Sequence, residues 1–80
     1  MEIAYVLIQC DLGYEDAIIK KLLEINQIKE IRGTLGVFDI FVKIQAESRE
    51  EIEGTITMIR KTPHIRETNT LSAILSQGGR

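Results

Sequence analysis

A glycine turn in the middle of the chain, Gly33-Thr34-Leu35-Gly36-Val37-Phe38-Asp39, runs directly into the alternating segment Ile40-Phe41-Val42-Lys43-Ile44. Gly33 and Gly36 permit backbone angles closed to other residues, and alternation with a period of two is the mark of a strand. The stretch therefore predicts a hairpin. Its first arm, over 27–35, is polar and weakly alternating with Ile28 and Ile31 as apolar anchors, which suits an edge strand. Its second arm, over 37–46, places Phe38, Ile40, Val42 and Ile44 on one face and Val37, Asp39, Phe41, Lys43 and Gln45 on the other.

The flanks of this hairpin repeat one pattern. Ile3-Ala4-Tyr5-Val6-Leu7-Ile8-Gln9-Cys10 is apolar on both alternating faces, as a central strand covered on both sides would be. Asp11-Leu12-Gly13 breaks it, Glu15 and Asp16 suit the positive end of a helix dipole, and Ile18, Ile19, Leu22, Leu23 and Ile25 recur at helical spacing. A first helix is expected over 14–25. After the hairpin, Ser48-Arg49-Glu50-Glu51 reads as a capping box, and Ile52, Ile56 and Ile59 continue a second helix to about Lys61, before Pro63. A last strand spans 64–75 and the remaining 76–80 form a frayed tail.

The order is β-α-β-β-α-β, two strand-helix-strand halves joined by the Gly36 hairpin. Right-handed crossovers make this an α+β, ferredoxin-like sandwich: a four-stranded antiparallel sheet with two helices on one face. The first and third strands, the most hydrophobic, belong in the middle. The uncovered face is then expected to carry Tyr5 or Val6, Phe41, Thr68 and Thr70, and a half-apolar face of this kind wants a partner.

At 80 residues the chain is expected to be one domain, 1–75, small enough that self-association would help it. The hydrophobic share of 44% and charged share of 28% are those of an ordinary globular protein. A net charge of -2 argues against direct nucleic-acid binding, which needs a basic face. The single cysteine, Cys10, excludes an intrachain disulfide and fits a reducing compartment, and the apolar run Ile3 to Ile8 is too short to cross a bilayer. A cytoplasmic protein without cofactor or metal is expected. The only histidine, His64, follows Pro63 and reads as a solvated turn residue; Cys10 reads as an inert buried thiol. Gly33-x-x-Gly36 lacks the lysine and the following helix of a phosphate-binding loop.

Taken together, Ala4-Tyr5-Val6-Leu7-Ile8, the Gly33 to Asp39 turn, Val42-Lys43-Ile44 and the closing Glu67-Thr68-Asn69-Thr70 resemble the effector-binding domain of the feast/famine (Lrp/AsnC) transcription regulators. The resemblance covers nearly the whole chain. Full-length members carry an N-terminal DNA-reading helix-turn-helix, whereas this chain begins on the first strand of the effector domain. The resemblance implies a stand-alone amino-acid-sensing module that is not an enzyme and makes no direct contact with DNA. It implies homodimers of the αβ-barrel type, joined further into octamers or similar rings, with a small amino acid bound at the seams. Full-length regulators of the family are possible partners.

An amino-acid zwitterion needs donors for its carboxylate and acceptors for its ammonium. The expected ligand-binding set is Thr34, Leu35, Gly36, Asp39, Thr68, Asn69 and Thr70. Backbone N–H groups around Gly36 would meet the carboxylate, Asp39 the ammonium, and the threonines with Asn69 would add neutral contacts. A plainer reading stands beside it: Asp39 bonds only to backbone amides of its own hairpin, the threonines are cross-strand pairs, and the glycines serve the turn. Two other functions share the fold. One is a small dimeric αβ-barrel enzyme, which would need a cavity joining His64 with Tyr5 or Cys10; the other is a purely structural co-assembly partner.

Overall fold

The computed structural model describes residues 1–72, in the order β1 (Glu2–Cys10), α1 (Glu15–Leu22), β2 (Ile28–Gly33), β3 (Ile40–Ala46), α2 (Arg49–Arg60) and β4 (Ile65–Ser72). The four strands form one antiparallel sheet in the order β2-β3-β1-β4, so the two most hydrophobic strands are central. The expected continuation of the last strand over 73–75, and the expected tail over 76–80, lie outside the described residues.

Alternation explains the core. Ala4, Val6, Ile8 and Cys10 of β1 and Ile40, Val42, Ile44 and Ala46 of β3 all point to one side, where they are buried against Ile18 and Leu22 of α1 and Ile52 and Ile59 of α2. Burying each large aliphatic side chain contributes about 1.5–3 kcal/mol, and Ile8, Leu22, Ile40, Ile44 and Ile59 are the largest that are fully buried. Helix α2 starts as its capping box requires: the Glu51 N–H donates to Ser48 Oγ at 3.2 Å. The return bond reaches one residue further out, with the Glu47 N–H donating to Glu51 Oε1 at 3.2 Å.

Four expectations are corrected. Helix α1 ends at Leu22, with Leu23 as its exposed C-cap. Strand β3 begins at Ile40, because Thr34 N–H donates to Asp39 C=O and closes 34–39 into a loop that includes Val37, Phe38 and Asp39. Strand β2 covers Ile28–Gly33 and not 27–35, and its weak alternation has a cause: a register shift between Ile28 and Glu30 lets Ile28 and Ile31, three apart, both face the helices.

The fourth correction concerns the threonines. Cross-strand partners project to the same face, and Thr68 pairs with Ile8 while Thr70 pairs with Val6. Both hydroxyls therefore lie on the helix side. Asn69, opposite Leu7, and Leu71, opposite Tyr5, occupy the open face instead. That face carries Ile3, Tyr5 and Leu7 with Phe41, all half-buried, and the Tyr5 and Phe41 rings stack at 5.7 Å.

Candidate ligand site

The loop after β2 is a knot of hydrogen bonds built on the exit of β1. Thr34 N–H donates to Asp39 C=O at 2.8 Å, Asp39 N–H to Ile8 C=O at 2.8 Å, Thr34 Oγ1 to Phe38 C=O at 2.7 Å, and Gln9 Nε2 to Val37 C=O at 2.7 Å. The carboxylate of Asp39 completes it. Strand β3 starts opposite Ile8, which leaves the next N–H of β1 on the β3 side, that of Cys10, without a partner in that strand; it donates to Asp39 Oδ2 at 2.9 Å. Gly36 sits at φ 114, a left-handed angle that favours glycine, and a Cβ there would meet nothing within 4 Å. Its need for glycine is purely conformational.

Two sets of groups are left over. Among the described residues, the N–H groups of Leu35, Gly36, Val37 and Phe38 have no protein acceptor, and Asp39 Oδ1 has no donor. Leu35 is 101% exposed and Val37 73%. The loop thus presents free backbone donors beside a half-used carboxylate.

Of the expected ligand residues, Thr34, Leu35, Gly36 and Asp39 are brought together. Thr68, Asn69 and Thr70 lie on β4, across β1 from β3, and so about 10 Å from the strand that the loop feeds. Thr68 Oγ1 accepts from Arg60 Nε at 3.3 Å, and Thr70 Oγ1 is buried with no partner among the described residues. Within one chain the two halves of the expected set do not meet.

Two contributors escaped the sequence. Gln9 and the Cys10 amide fasten the loop, but a residue 28 or 29 positions away leaves no local signal. The second is a cluster where β1 leaves and β4 enters the sheet. His64, at φ 71, stacks on Tyr14 with ring centroids 3.6 Å apart, and its Nδ1 lies 3.3 Å from Asp11 Oδ2. Arg66 Nε is 3.9 Å from the other Asp11 oxygen. The cavity beside His64 is lined by Tyr14, Ala17, Ile18, Lys21 and Pro63, not by Tyr5 or Cys10. Tyr5 is on the open face and Cys10 in the core, where burial pushes its thiol pKa up, helped by the carboxylates of Asp39, Glu15 and Asp11. The three side chains that an enzyme reading would need do not share a cavity.

The profile of the Lrp/AsnC ligand binding domain matches residues 3–76. The chain belongs to the Lrp/AsnC ligand-binding domain family. A homocitrate synthase of Saccharolobus islandicus is 35% identical over 68 residues, which cover 84% of this chain and 15% of that enzyme. The HTH-type transcriptional regulator FL11 of Pyrococcus abyssi is 28% identical over 69 residues, covering 86% of this chain and 46% of the regulator. This Lrp/AsnC domain therefore spans only a minor part of either curated relative. Among solved structures, that of FFRP-DM1 superposes with a TM-score of 0.88 at 33% identity, covering 92% of this chain and all of that one. These likenesses mark a regulatory ligand-binding module of ferredoxin-like fold. Among the described residues, no helix is long and apolar enough to cross a membrane.

Proposed function

We propose that this domain is a cytoplasmic amino-acid sensor that binds a small amino acid at the seam between copies of itself and acts through its state of assembly. One observation carries the reading: among the described residues, four successive N–H groups of the loop, those of Leu35 to Phe38, have no acceptor, and one oxygen of the adjoining Asp39 has no donor. The donors suit a carboxylate and the oxygen suits an ammonium, the two charged ends that every amino acid shares. Thr68, Asn69 and Thr70, turned away from the loop of their own chain, are proposed to complete the site from another copy. The half-apolar open face, centred on Tyr5 and Phe41, is proposed as the dimer surface.

The likeness of this domain to part of a regulator and to part of a biosynthetic enzyme supports a portable sensing unit that biases whatever it assembles with, full-length regulators of the family included. Titration calorimetry of the intact oligomer against a panel of amino acids tests the reading. Saturable heat from one or a few of them is expected, reduced at least tenfold in affinity by Asp39→Asn. No heat from any amino acid at millimolar concentration would refute it.

A further inference from the structure

The turn between α2 and β4 is held in a shape that its residues do not favour. His64 sits at φ 71, the one left-handed angle of a non-glycine residue among the described residues. Strain of this kind persists only where neighbours over-determine it, and it gathers at ligand sites. Here the neighbours are Asp11 and Tyr14. The Asp11 N–H donates to His64 C=O at 2.9 Å, Asp11 Oδ2 lies 3.3 Å from His64 Nδ1, and the Tyr14 ring stacks on the imidazole with centroids 3.6 Å apart. Pro63, just before, has a φ fixed by its own ring. The exit of β1, the start of α1 and the entry of β4 are thereby braced around a cavity of about 390 Å³, a volume within the range of small-molecule sites, roughly 300–1,000 Å³.

The chemistry of the lining is one-sided. Ala17, the buried Ile18 and Pro63 supply apolar wall, and Thr62 asks for no partner, because its hydroxyl already donates to Met58 C=O at 3.1 Å. No acidic side chain lines the cavity, and among the described residues the exposed Lys21 has no ion-pair partner. The surrounding charges are accounted for. Asp11 faces His64 and Arg66, Glu15 accepts the Gly13 N–H at 3.1 Å, and Glu24 lines an adjoining hollow together with Lys61, where the two charges offset. Asp16 and Lys20, also on α1, line neither hollow. We infer that this cavity is a second ligand site, which takes a small apolar carboxylic acid without an ammonium group. Its carboxylate meets Lys21 Nζ in a charge-assisted bond, and its hydrocarbon body lies against Ala17, Ile18 and Pro63 with the Tyr14 and His64 rings closing one end. The contrast with the loop decides the class of ligand. The loop presents donors beside a carboxylate, whereas the cavity presents a cation and no carboxylate, so an ammonium group would lose water here without gaining a partner. No residue of 34–39 lines the cavity, and the assignment needs neither the amino acid nor self-association.

Phenylacetate is the probe, with 2-phenylethanol, which lacks the carboxylate, and 2-phenylethylamine, which carries an ammonium instead, as controls. Methyl NMR of the full chain follows Ala17 and Ile18 in the cavity and Leu35 and Val37 on the loop. Phenylacetate at millimolar concentration should move the first pair saturably and leave the second in place, with both controls binding at least about tenfold more weakly. Lys21→Gln should weaken phenylacetate by about tenfold or more, Lys21→Arg should restore most of the affinity, and Ala17→Phe, which fills the cavity, should abolish binding. Ala17 and Lys21 are exposed, and circular dichroism melting confirms that each variant is folded. The inference is overturned if the cavity methyls ignore phenylacetate, if 2-phenylethanol binds as well as phenylacetate does, or if folded Lys21→Gln binds like the wild type. Ala17 and Ile18 methyls that move on dilution of the ligand-free protein would place a second copy of the chain in the cavity and overturn it too. Failure of amino acids to bind would leave all of these readouts unchanged.

Discussion

Replacing Asp39 separates a loop lock from the proposed ligand contact. Its Oδ2 accepts the Cys10 N–H at 2.9 Å in a partly buried position, and no strand partner waits to take that amide. Asp39→Ala removes a charge-assisted bond and strands a donor; such bonds contribute about 1.5–3 kcal/mol, and partial exposure puts the expected loss near 2 kcal/mol. In a domain of this size that lowers Tm by about 8–16 °C. Asp39→Asn keeps a carbonyl oxygen for Cys10 and should lose only about 1 kcal/mol. Urea unfolding at one fixed protein concentration measures both losses, since assembly adds its own stability. Hydrogen exchange at the Cys10 amide reports the local lock directly and should quicken in Asp39→Ala far more than in Asp39→Asn. Asp39→Ala within about 0.5 kcal/mol of wild type, with Cys10 exchange unchanged, would show that the carboxylate does not hold the loop.

Gly36→Ala meets no steric neighbour, so its entire cost is that of a left-handed angle, about 1–2 kcal/mol, visible as a lowered urea midpoint with an unchanged slope. The raised Cys10 pKa has a pH consequence. The folded state holds the thiol proton more tightly than the unfolded chain, so this group's contribution is intact below the unfolded value of about 8.5 and is lost as pH rises above it. Stability of the wild type should therefore fall relative to Cys10→Ala as pH rises above that value, whereas parallel curves would show that the thiol is not held protonated. Thr70→Val replaces a buried hydroxyl that has no partner among the described residues, and a gain of about 0.5–1 kcal/mol is expected in thermal unfolding. A loss of more than about 1 kcal/mol would mean that the hydroxyl is satisfied in the native state.

The chain's own residue pattern determined the architecture. The continuous apolar run of β1, the period-two run of β3, helical spacing in α1 and α2, a serine cap and a glycine turn are short-range signals, and each specifies its element through contacts within a few residues. Their order then left few topologies that keep crossovers right-handed, and the apolar ranking put β1 and β3 in the middle. The makings of the candidate ligand loop were legible too, since Gly36 and Asp39 are adjacent to the hairpin they serve. What only the tertiary structure decided was facing and fastening. A one-residue register difference sends Thr68 and Thr70 toward the helices and Asn69 toward the open face, and that register is set by pairing with β1, some sixty residues earlier in the chain. The bonds from Gln9 and Cys10 to the loop, and the stack of His64 on Tyr14, join residues 28 to 50 positions apart. Hydrogen bonds and ring contacts at that separation depend on where the folded backbone carries each group, and no local pattern of residues encodes that position.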